Sequence, residues 1–137
     1  MGFFNITEND VLDNLLGAGA TLLSGVQELA LSKTTPNDDG TNITEPSGSG
    51  YARVSVVNDG ASWAAAAAGL KDNAANIVFP VATGGDWGIV THFVIYDLGV
   101  PVIWGLLDDG AGSASPKNIT ETDQFRFLIG ELRVILD

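Results

Sequence analysis

The sequence predicts a mainly β protein: an antiparallel β-sandwich over residues 26–137, preceded by an N-terminal arm over residues 1–25 that carries one short helix. Three observations predict it. Apolar spacing changes from helical to alternating near Val26. The alternating segments are separated by clusters of Gly, Pro, Asn, Asp and Ser, the residues that turns require. A length of 137 residues suits one core and falls short of two full domains.

The arm comes first. Thr7 can cap a helix, Asp10 stands where a capping box places its reciprocal acceptor, and Glu8, Asp10 and Asp13 sit near the positive helix end. Gly17 supplies a stop. Val11, Leu12, Leu15 and Leu16 then form one apolar stripe, and Phe3 and Phe4 add two large apolar side chains upstream. These six residues are the candidate partner-binding surface, with docking of the arm on its own domain as the alternative.

The strands follow in order: Gln27 to Leu31, Ala52 to Val57, Asn76 to Phe79, Ile89 to Tyr96, Val100 to Leu107, Gln124 to Leu128 and Leu132 to Leu136. Both faces of the strand from Ile89 are largely apolar, which predicts a central strand covered on two sides. Gln124 to Leu128 and Leu132 to Leu136 are expected to pair as a C-terminal hairpin around Ile129, Gly130 and Glu131. Residues 34–50 lack periodicity and are rich in Pro, Gly, Asp and Ser, so they read as a long exposed loop. Gly69 cuts short the alanine run 64–68, which is expected to be a turn or a brief helical connection.

Charge narrows the function. With 17 acidic and 6 basic residues the formal net charge is −11. Such a chain repels phosphate backbones and anionic lipid headgroups, so neither nucleic acid nor a membrane is expected as a partner. Only 17% of residues are charged, against about 25% in an average globular chain, while 45% are hydrophobic. A subunit partly covered by neighbours has this composition. The first residues lack a basic signal-peptide region, and no apolar run approaches the ~20 residues that span a bilayer, so synthesis in a cytoplasm without a cleavable signal is expected. Triplets beginning at Asn5, Asn42 and Asn118 match the glycosylation acceptor but read more simply as turn and cap chemistry.

Catalytic chemistry finds no support. The chain has no Cys, and its one His, His92, lies mid-strand between apolar residues with no nucleophile motif nearby. No enzymatic activity and no cofactor is expected. The best metal candidate is the loop with Asp38, Asp39 and Glu45, but its Glu is one residue out of register with a calcium loop, so no metal site is assigned. Phosphate-binding glycine motifs are absent.

Three blocks carry a resemblance: EPSGSGYARVSV at 45–56, IVFPVATGGDWGIVTHFVIYD at 77–97 and PKNITETDQFRFLIGELRVILD at 116–137. Together they resemble a family of small tailed-bacteriophage structural proteins, variously described as tail fibre proteins or as head decoration (cement) proteins. The likeness spans residues 26–137. One departure lies at Glu28 to Lys33, where the family pattern carries an aromatic strand. Within these blocks Gly50, Tyr51, Pro80, Gly85 and Trp87 read as fold-defining turn residues, Pro80 by ending a strand and Trp87 by capping the core.

The resemblance implies a virion protein. Its leading reading is a capsid decoration protein on the outer head surface, bound to the major capsid protein and forming a homo-oligomer, a trimer by preference. The alternative is a tail or tail-fibre component, with receptor or glycan binding as its role; a third reading, a small enzyme or carbohydrate-binding module, would use Trp63, Trp87 and Trp104 as stacking faces, although Trp104 alternates inward with Val102 and Leu106 as a core residue does.

Overall fold

A computed structural model of the chain describes residues 2–7, 11, 16 and 23–135. Eleven strands follow in these residues: β1 (Gly2–Phe3), β2 (Val26–Ser32), β3 (Val54–Val57), β4 (Leu70–Asp72), β5 (Ile77–Val81), β6 (Gly88–Val90), β7 (His92–Asp97), β8 (Val100–Leu106), β9 (Lys117–Ile119), β10 (Gln124–Phe127) and β11 (Arg133–Ile135). One antiparallel sheet has the order β1-β8-β7-β2-β3, and three two-stranded ladders pair β5 with β10, β4 with β11 and β6 with β9. The mainly β, antiparallel fold class is as predicted.

β7 holds the middle of the large sheet, and His92 through Tyr96 are all buried. Alternation sends Phe93 and Ile95 to one face, where they join Leu29 and Leu31 of β2 and meet Ile77 and Phe79 of β5, Trp87, and Phe127 of β10. This is the principal core between sheet and ladders. Val94 and Tyr96 face the other way with Ala30 and Phe4, under Ile43 and Trp104. Opposite Phe93 stands Gly105, where a Cβ would lie 2.5 Å from the ring; only glycine lets the Phe93 ring occupy that space.

Five expectations are corrected. The strand predicted from Ile89 to Tyr96 is two strands, because the chain leaves the β6–β9 ladder and enters the large sheet at Thr91. Val90 is therefore buried in the same core as Phe93 and Ile95, which a continuous strand of period two would forbid. The C-terminal hairpin does not form: β10 pairs with β5 and β11 with β4. Its expected partners are separated by Asn73, which is wholly buried. The Asn73 amide donates to the carbonyls of Leu128 at 2.9 Å and Ala75 at 2.8 Å and accepts from Leu132 N–H at 2.9 Å, so the turn closes around a side chain instead of a ladder. Pro80 does not end its strand, which runs on to Val81; β10 is irregular between Gln124 and Arg126, so the missing N–H falls at a break in the ladder.

The fourth correction concerns residues 34–50. They have no regular structure, as predicted, but they are not simply exposed. Pro36 and Pro46 are buried, Lys33 N–H donates to Thr44, and Asn5 N–H donates to Asp38. The loop covers the second face of the sheet. The fifth concerns the arm. Gly2–Phe3 adds an edge strand to β8, with Phe3 opposite Ile103, and the Thr7 hydroxyl donates to Val102 at 2.8 Å. Residues 2–7 thus belong to the sandwich, because Phe4 is among the most deeply buried side chains.

Replacing Asn73 by Ala leaves the buried Leu132 N–H and the partly buried Leu128 carbonyl unpaired and should cost about 2–4 kcal/mol in urea unfolding. Exposed Asn118→Ala should stay within about 0.5 kcal/mol.

Candidate functional site

Four of the five predicted turn residues meet at one corner of the sandwich. Ser49 carries the join: its carbonyl accepts from Trp87 Nε1–H at 2.8 Å and from Thr83 N–H at 2.9 Å. Gly85 lies against the Ser49 side chain, where a Cβ would come 2.9 Å from the hydroxyl oxygen. Gly50 has φ +75°, and a Cβ there would sit 2.6 Å from Thr83 Oγ1 and 3.1 Å from the Val81 carbonyl. Trp87, 1% exposed, meets the Tyr51 ring edge-on at 5.2 Å. Pro80 lies one residue before Val81, in the strand that forms the corner's wall.

Tyr51 extends this corner to the large sheet. The β2–β3 ladder stops at Leu29 and Val54, and the next N–H that would point outward, at Leu31, donates to the Tyr51 hydroxyl at 3.0 Å. That hydroxyl donates in turn to Glu45 Oε2 at 3.0 Å. Burial pushes the phenol above its ordinary value, so it stays protonated as this relay requires. Glu45 also takes a two-pronged contact from Arg53, whose Nε and Nη2 lie 3.0 and 2.6 Å from Oε1. Arg53 reaches Glu28 at 3.1 Å and lies over the Tyr96 ring with Cζ 3.6 Å from its centre. The network locks loop 34–50 to the sheet; its geometry is that of a clasp.

His92 is buried and shares a hydrogen bond with Thr91 Oγ1 at 2.8 Å through Nδ1. Burial holds its imidazole below the ordinary value, in the neutral form. It packs against Trp104, whose Nε1–H is, among the described residues, the one buried side-chain polar atom without a partner. Asp39 is held below the usual carboxylate range by the Thr41 hydroxyl and N–H, so it serves its own turn. Among the described residues no three His, Asp or Glu converge as a metal site would need.

The six predicted partner-binding residues do not form one surface. Phe4 lies inside the second core, Phe3 is half-buried and lines an apolar pocket of about 270 Å³ with Leu23, Ile95 and Ile103. Val11 is half-buried and Leu16 is 88% exposed. Leu12 and Leu15, with most of the predicted helix, lie outside the described residues.

A larger groove of about 580 Å³ opens between the end of β8, loop 108–112 and strands β9, β10 and β11. Phe93, Phe125 and Phe127 supply its apolar wall, and Lys117, Arg126 and Arg133 line it together with Asp108, Asp109 and Glu131. Nothing in the spacing of these residues marks them in advance, since they come from separate ladders.

A family model described as Podophage GP4 fiber I protein gp80 matches residues 2–135. The chain belongs to this family. It is a phage virion structural protein, as the resemblance implied, and the family's description is that of a fibre rather than of a head decoration. No curated protein matches the chain. The match takes in β1 as well as the sandwich, so the family is defined over the whole unit that the Phe4 core joins. In this chain the corner and the Arg53 clasp hold the loops, and the groove is a concave surface of mixed polar and apolar lining.

Two outcomes test these assignments. Gly50→Ala and Gly84→Ala both place a side chain at φ near +75°, but Gly84 has open space around it; Gly50→Ala should therefore be the more destabilising by about 1–2 kcal/mol in chemical denaturation. Because folded His92 is neutral while the unfolded imidazole takes up its proton near pH 6.5, its contribution is present above about pH 6.5 and is lost as pH falls. Unfolding free energies between pH 7 and 5 should fall more steeply for the native chain than for His92→Gln.

Proposed function

We propose that this protein is a structural, non-enzymatic subunit of the phage fibre. The observation that carries the reading is the fibre-family match over nearly the whole chain. The surface agrees with a subunit that other chains cover. Val26 and Val57, opposite one another in the β2–β3 register, are each about half exposed, and Leu98 in the adjoining β7–β8 turn is 85% exposed. These three crowd one end of the large sheet, next to its free β3 edge, where contact with further copies would remove apolar area from water. We infer a homo-oligomer closed by symmetry, so that every copy's interface is satisfied, with a trimer as the expected state.

Gold-labelled antibody against the purified chain should decorate the fibres of intact virions, and light scattering of the purified protein should return three times the chain mass. Label spread over the head shell would replace the fibre assignment with head decoration through the major capsid protein.

A further inference from the structure

Leu98 stands where the fold alone gives no reason for a leucine. It is the first of two residues joining β7 to β8, and with φ +49° at Leu98 and +81° at Gly99 both central residues lie in the left-handed region, the geometry that favours Asn-Gly. A leucine there crowds its Cβ against the backbone, and among the described residues it is the one large apolar side chain held at positive φ. Leu98 is also 85% exposed, so burial within its own chain does not offset that strain. A strained, exposed apolar side chain at the tip of a regular hairpin serves a contact outside the fold.

The matching concavity lies at the same end of the molecule. The apolar pocket of about 270 Å³ is walled by Phe3, Trp63, Ile95, Ile103 and Val134, and the exposed Ala66 and Gly69 border it. A cavity of about 150 Å³ with such walls takes up benzene, so this one has room for a leucine side chain. Gln27 ties the two features together: it lines the pocket, and its Nε2 donates at 3.0 Å to Asp97 Oδ1, one residue before Leu98. The two-residue turn, pinned by the pairing of Asp97 with Val100, keeps Leu98 out of its own chain's pocket.

Charge selects the occupant. Lys71 is the one charged residue lining the pocket; its Nζ donates to the Ala64 carbonyl and has no carboxylate within 4.0 Å among the described residues. Asp97 takes its hydrogen bonds from Ser24 and Gln27 on Oδ1, which leaves Oδ2 for a cation. A turn with an apolar tip beside an acid thus complements an apolar pocket beside a lysine, and among the described residues no carboxylate lines that pocket to oppose it. We propose that Leu98 of one copy enters the apolar pocket of the next, with Asp97 set against Lys71. Each copy then offers one plug and one socket, and a cyclic arrangement fills every one of them. This rests on the homo-oligomer inferred above and names the contact that closes it.

The test uses the full-length chain and reads assembly by sedimentation and light scattering. Leu98→Asn removes the plug and puts in a residue suited to positive φ, so assembly should weaken at least about tenfold while the ¹⁵N–¹H NMR spectrum stays that of a folded chain. Ala66→Glu and Lys71→Glu, both at exposed positions lining the socket, should weaken assembly to a similar degree by opposing Asp97. The chain has no cysteine, so on mild oxidation an equal mixture of Leu98→Cys and Ala66→Cys chains should yield a disulfide-linked dimer of the two. A native oligomer whose mass survives Leu98→Asn and Ala66→Glu unchanged would overturn the plug and leave the homo-oligomer standing. Cross-links of Leu98→Cys to itself in place of the mixed pair would overturn it too, in favour of a contact between turn tips. A native chain that stays monomeric at millimolar concentration would overturn both readings; if Ala66→Glu then lowers its unfolding midpoint, the pocket is filled from within the chain.

Discussion

Strand β7 has water on neither face, and most of the remaining structure answers that constraint. Five consecutive buried side chains, from His92 to Tyr96, require two separate covers. The ladders β5–β10 and β6–β9 with the Trp87 corner form one, over Phe93 and Ile95. Phe4, Ile43 and Trp104 form the other, over Val94. A sheet buried on both faces needs apolar partners above and below, and here the second cover is made of irregular chain rather than of another sheet. That is why a loop with no periodicity carries buried prolines and a clasp.

The clasp solves a specific problem. Loop 34–50 carries few apolar side chains, so polar contacts fix it to the sheet. Glu45 is bound by Arg53 and Tyr51, and its neighbour Thr44 accepts from the backbone N–H of Lys33, just before the loop begins. The pair Arg53–Glu45 is partly exposed, so its Coulomb attraction by itself contributes modestly. Its value lies in shared geometry: the same residues stack on Tyr96 and complete the hydrogen bonding of Leu31. A fixed shape for the face follows from several weak contacts that hold one another in place.

The candidate groove arises from the opposite side of the same design. Because β10 and β11 part around Asn73 instead of pairing, the chain between them and loop 108–112 stand as separate walls with a cleft between. A C-terminal hairpin would have brought Phe125, Arg126 and Arg133 into one flat ribbon. Splitting it sets aromatic and cationic side chains around a concavity, on a fibre-family protein whose other polar surface is acidic.

The sequence by itself determined the β class, the central position of the strand that runs to Tyr96, the turn at Gly69 and the residues of the Ser49–Trp87 corner. All of these rest on local signals: alternation along the chain, glycine and proline where the backbone bends, and an apolar run with no polar face. Tertiary structure alone decided the rest. Whether β10 pairs with β11 or β5 depends on Asn73, more than fifty residues away in sequence, and a polar side chain buried in an alanine-rich stretch looks like surface until its three partners are known. Phe3 and Phe4 read as a sticky arm because apolar residues near a chain end show only that they must be covered, and the cover, β8 and the second core, is brought to them by folding. The groove was illegible for the same reason. Its cations lie on three short strands whose common surface exists only after each ladder has found its partner, and no period in the sequence records a meeting in space.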